Sequence, residues 1–119
     1  MATLNPLMLY NSPEGPLFAP DEGNANSQAL YLGTATTAEE MTLNTDCHLV
    51  RIQADQDIWY LLNATVGDAT AVAPTTEDIT GASILLPAGQ ERYVNVRGFG
   101  GISCVSAVNS TAVNVLEWK

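Results

Sequence analysis

The chain has 119 residues, with 13 acidic side chains against 4 basic ones, a single histidine and two cysteines, for a formal charge of −9. One domain of that length buries roughly 65% of its unfolded surface without needing a disulfide or a metal. So acidic a surface repels phosphate backbones, which excludes nucleic acid as a partner, while charged residues make up only 14% of the chain, few for a surface left wholly to water.

Residues 1–28 carry four of the six prolines (Pro6, Pro13, Pro16 and Pro20) together with Asn5, Asn11, Gly15 and Gly23. That punctuation excludes helix. Leu4, Leu7, Met8, Leu9, Tyr10, Leu17 and Phe18 make the stretch too apolar for a solvated linker. An extended N-terminal arm is therefore expected over 1–28, lying on its own sandwich or on a neighbouring subunit, ahead of a β-domain over 29–119. No basic residue precedes Arg51 and Asn5-Pro6 breaks the opening apolar run, so an export signal is not expected, and no run reaches the length of a membrane span. Cytosolic synthesis follows from that reading.

The first strand is expected over Ala29 to Thr37, with Leu30 and Leu32 on one face and Tyr31 on the other. Thr36 to Glu40 has the spacing of a helix cap, but Met41 to Thr45 sustains no helical period, which predicts a loop into a short strand. Cys47 to Ala54 alternates cleanly, Val50, Ile52 and Ala54 against Leu49, Arg51 and Gln53. Asp55-Gln56-Asp57 then turns the chain. Ile58-Trp59-Tyr60-Leu61-Leu62 is apolar on both faces, the mark of a central strand whose second face is also covered. Within the Ala/Thr-rich stretch 64–82, residues 70–73 read as a weak edge.

From Ser83 to Trp118 four strand-like pieces follow one another. Pro87-Ala88-Gly89, Arg97 to Gly101 and Asn109-Ser110-Thr111 separate them as turns. Four strands in succession predict an antiparallel meander or half of a sandwich. The whole reads as all-β, a jelly-roll-like antiparallel β-sandwich of seven or eight short strands.

Few residues suggest chemistry. His48 follows Cys47, and adjacent side chains of a strand point to opposite faces, so the two do not make a nucleophile pair. Cys47 and Cys104 read as two small buried hydrophobes, with a cross-sheet disulfide as the alternative if their strands are neighbours, one that an intracellular product would keep reduced. Asp55 and Asp57 share a turn where Asp ordinarily bonds its own backbone, although a Ca²⁺ ion is the alternative. Thirteen acids give no specificity to any carboxylate pair, and Gly98-Phe99-Gly100-Gly101 joins strand to strand with no helix to receive a phosphate. Asn63-Ala64-Thr65 and Asn109-Ser110-Thr111 match the glycosylation triplet, which matters only in an exported chain. Trp59, Tyr60, Tyr93, Phe99 and Trp118 are the candidates for a sugar-binding face. No catalytic residue, cofactor or metal ligand is assigned.

The region from Cys47 to the C-terminus resembles small all-β virion proteins of tailed bacteriophages, of the head decoration or cement type. The resemblance lies in Cys47-His48-Leu49-Val50-Arg51-Ile52, Ile58-Trp59-Tyr60, Val72 with the Thr-rich loop after it, Ile84 to Gly89, Gly101-Ile102-Ser103-Cys104 and Val113 to Glu117. It implies a sandwich that trimerises and seats on the outside of the shell, clamping major capsid protein subunits. The expected contacts are Leu4, Leu7, Leu9, Tyr10, Leu17 and Phe18 of the arm, with Arg92, Arg97 and Trp118. The alternatives are a tail, neck or fibre-base component of such a particle, and a carbohydrate-binding module.

Overall fold

The computed structural model describes residues 25–74 and 83–119. Among the described residues eight strands are formed: β1 (Asn26–Leu32), β2 (Glu39–Thr42), β3 (Leu49–Ala54), β4 (Ile58–Asn63), β5 (Ile84–Leu86), β6 (Glu91–Asn95), β7 (Gly101–Ser106) and β8 (Thr111–Trp118). They make two four-stranded antiparallel sheets, sheet A in the order β1-β8-β3-β6 and sheet B in the order β2-β7-β4-β5. β1 thus pairs with β8, β2 with β7, β3 with β6 and β4 with β5. One long hairpin has been rolled over on itself, with β4 and β5 nearest its tip and β1 and β8 at its base. That is the jelly-roll wrap, and the all-β sandwich expected from the sequence is what the chain forms.

The succession of strands after Ser83 differs from expectation. β5, β6, β7 and β8 alternate between sheets B, A, B and A, so none of these sequence neighbours pairs with the next. Each turn signal marks a reversal correctly but says nothing about which sheet receives the next strand. Gly89 and Gly98 take φ of 76° and 87°, the left-handed conformation that lets these two crossings turn sharply. β1 starts at Asn26 and ends at Leu32, earlier than the stretch from Ala29 to Thr37, because Thr36 takes φ of 61° in the following turn.

Alternation fills the core. Val50, Ile52 and Ala54 of β3 and Val113 and Val115 of β8 face Ile58 and Tyr60 of β4, Leu86 of β5 and Ile102 and Cys104 of β7. Each fully buried aliphatic side chain of this kind contributes roughly 1.5–3 kcal/mol. β4 lies between β7 and β5, and its outer side chains Trp59 and Leu61 are covered, as the two-faced apolar pattern requires. The cover is the segment expected to be an edge strand. Ala71 and Ala73 pack on Leu61, Val105 and Trp59, and the Ala71 N–H donates to Ser103 Oγ at 3.0 Å. Residues 70–73 therefore lie over the outer face of sheet B and form no strand.

Candidate functional site

A hollow opens at one end of the sandwich. It is a groove of about 620 Å³ between the β2–β3 loop, the start of the β4–β5 loop and the β6–β7 turn. Thr42, Leu43, Asn44, Thr45, Asp46, Cys47 and His48 form one side, Arg97, Gly98, Phe99 and Gly100 the other, and Val66 closes it. Phe99 and Val66 are large apolar residues left in solvent. The Val96 carbonyl accepts from the Phe99 N–H at 2.9 Å, and the Gly100 N–H donates to Asn63 O at 2.8 Å, which fixes the turn that presents Arg97 and Phe99.

His48 and Cys47 precede β3 rather than belonging to it. The His48 N–H donates to Trp118 O and its carbonyl accepts from the Val96 N–H, both at 3.0 Å, so its backbone ties β8 to the end of β6, and the residue lines the groove. Cys47 turns inward, its Sγ donating to Leu49 O at 3.5 Å. Burial, then the nearby Glu117 carboxylate, pushes its thiol above the ordinary value. Cys104 is deeper still, and burial raises it to about 12. Both thiols are free and buried, and their raised values hold them in the protonated form at neutral pH.

The other sequence candidates are dispersed. Asp55 Oδ1 accepts the Ala112 N–H at 3.0 Å and Asp57 Oδ1 accepts the Ala88 N–H at 2.8 Å, so the two carboxylates cap different turns. Arg92 points between the sheets, where Nη1 donates to Leu85 O at 3.0 Å and to the Tyr60 hydroxyl at 3.4 Å. It spans the open side from β6 to β5. Of the aromatic candidates, Tyr60 is in the core, Trp59 is under the cover on sheet B, and Phe99 is at the groove. Tyr93 and Trp118 meet on the outer face of sheet A, centroids 6.2 Å apart, and Trp118 is only 6% exposed. They do not share a face with the others. Leu4, Leu7, Leu9, Tyr10, Leu17 and Phe18 lie outside the described residues, as do residues 1–24 of the expected arm.

Two carboxylates passed over in the sequence hold much of the polar structure. Glu117, 3% exposed, accepts from Asn26 Nδ2 at 3.4 Å, from Gln28 Nε2 and from the Asn44 N–H at 2.7 Å. Its period-2 position after Val113 and Val115 was the available signal. Glu40 accepts from Asn63 Nδ2 and from the Gly67 N–H, each at 2.9 Å, and rests against Gly101.

No protein family and no characterised protein matches the sequence. Among solved structures, a subunit of the disulfide-linked pili that form Bacillus endospore appendages aligns over 79% of this chain and 86% of that one, at 13% identity with a TM-score of 0.44. So loose a likeness carries no argument here.

Proposed function

We propose that the protein is a structural virion component, a cement protein that binds the outside of a tailed-phage head as a trimer and holds adjacent major capsid subunits together, performing no chemistry. The observation that carries this reading is the placement of its exposed apolar side chains. Tyr31 on β1 and Tyr93 on β6 stand on the two edge strands of sheet A, Ile84 and Leu85 on an edge of sheet B, and Phe99 and Val66 at the loop end. An edge strand offers unpaired backbone groups, and apolar side chains beside them give a partner both a ladder and a grip.

The polar side chains mostly serve the fold itself. Asp55, Asp57, Glu40 and Glu117 are engaged by backbone and amide groups, and Arg92 closes the side of the sandwich. A jelly roll is home to capsid and lectin domains alike, so the fold alone does not choose between them. The scatter of Trp59, Tyr60, Tyr93, Phe99 and Trp118 over different faces favours assembly over a sugar platform. Made in the host cytoplasm, the protein would then reside on the virion surface, its acidic charge keeping free copies soluble.

Purified protein added to heads that lack it tests the proposal by cryo-electron microscopy. Density at every equivalent position of the shell is the expected result, with a mass in solution three times the 12.6 kDa of the chain. Density at a single vertex would reassign it to the neck, tail or fibre base, and failure to bind any part of the particle would end the reading.

A further inference from the structure

Four basic side chains serve a chain with 13 acids, and they are not used alike. Arg51 Nε pairs with Glu91 at 3.6 Å, and Arg92 is held by Leu85 O. Lys119 is exposed and lies away from the groove, beside Trp118. Arg97 is exposed, and its backbone N–H is fixed by Asn95 Oδ1 at 3.0 Å. Among the described residues no carboxylate and no hydrogen bond engages its guanidinium, although it lines the loop-end groove.

We propose that this groove receives an acidic side chain of a protein partner, with the carboxylate paired to Arg97 and the flanking apolar residues laid on Phe99 and Val66. The choice of a protein partner rests on the decoration reading above. A guanidinium fork matches a carboxylate with two parallel hydrogen bonds. The groove volume of about 620 Å³ falls within the range of sites that hold small ligands or a few residues. Phe99, 40% exposed, and Val66 give an apolar wall suited to aliphatic side chains. Asp46 also lines the groove, and a second carboxylate there opposes the incoming one, which gives the test a direction.

The full-length ¹⁵N-labelled protein is titrated with acetyl-Leu-Glu-Leu-amide, with acetyl-Leu-Gln-Leu-amide as control. Saturable shifts at the amides of His48, Gly98, Phe99 and Gly100 are expected with the first peptide only, weakening as salt is added. Arg97→Gln weakens binding by about tenfold or more with an unchanged melting temperature, because the guanidinium holds nothing in the fold. Asp46→Asn strengthens it. Equal binding of the two peptides, indifference to Arg97→Gln, or shifts with oligogalacturonate alone would overturn the proposal. The head-binding assay separates the two readings. If Arg97→Gln decorates heads as the wild type does, the groove is not the contact and the decoration reading stands. If the wild type decorates nothing while the Glu peptide still binds, the decoration reading falls and the groove's specificity stands.

Discussion

Glu117 is a buried carboxylate met by hydrogen-bond donors rather than by a cation. Asn26 and Gln28 reach it from β1, and the Asn44 amide reaches it from the β2–β3 loop, so one side chain fastens the first strand and the floor of the groove to the end of β8. Replacing it with leucine takes the acceptor from Gln28, which is half-buried, and from Asn26 and Asn44, which are exposed and can turn to water, so the cost is about 1–3 kcal/mol in all. Glu117→Leu is expected to lower the urea midpoint sharply, and Glu117→Gln, which keeps one acceptor oxygen, by much less. Equal losses would show that shape, not acceptance, is what the site needs. The two thiols give a separate pH signature. Burial raises Cys104 to about 12 and also raises Cys47, so the folded state holds these protons more tightly than the unfolded chain does. Their stabilising effect is complete below the unfolded thiol value and is lost as pH climbs from about 9 towards 12. Urea midpoints measured across that window should fall less steeply in Cys104→Ala than in the wild type, and neither native thiol should react with a disulfide reagent at pH 7.

At the scale of elements, three hydrogen bonds among the described residues hold the segment over sheet B. The Ala71 N–H donates to Ser103 Oγ, Asn63 Nδ2 donates to Ala69 O at 2.8 Å, and the Val72 N–H donates to Ser83 Oγ at 2.9 Å. Ser103→Ala removes the central anchor. It is expected to cost about 1–2 kcal/mol and to speed amide exchange at Ala71 and Val72 while β7 stays protected. Unchanged exchange would mean that the packing of Ala71 on Leu61 and Val105 suffices. This cover also marks where the sequence was legible. The apolar run from Ile58 to Leu62 announced that both faces of β4 are buried, because period and composition are local properties. It did not announce what covers the outer face, since Ala71 reaches Ser103 through a contact 32 positions away. The alternation in β3 and β6 was equally readable, with Val50, Ile52 and Val94 inward and Tyr93 and Asn95 outward. Sheet membership was not. Turns such as Pro87 to Gly89 look the same whether the next strand pairs beside the last or crosses to the other sheet. The groove was hidden for the same reason: Asp46, Val66 and Arg97 come from three connections that meet only once the wrap is complete.

The wrap of the whole molecule also sets an order of assembly. Pairing of Ile58 with Leu86 in the β4–β5 ladder closes a loop of 28 positions, whereas pairing of Asn26 with Glu117 in the β1–β8 ladder closes one of 91. The longer closure costs roughly 1 kcal/mol more in chain entropy when nothing else is formed. Once the inner ladders stand, most of that cost has been met. The tip should therefore form in the folding transition state and the base after it. Leu86 on β5 and Leu32 on β1 are a matched pair for testing this, both fully buried leucines of the same core. Truncation of either to alanine is expected to cost about 2–5 kcal/mol at equilibrium. Stopped-flow kinetics should divide the two: Leu86→Ala chiefly slows folding, and Leu32→Ala chiefly hastens unfolding. The reverse division would place the nucleus at the β1–β8 base, and the rolled hairpin would then have to close from its ends inward.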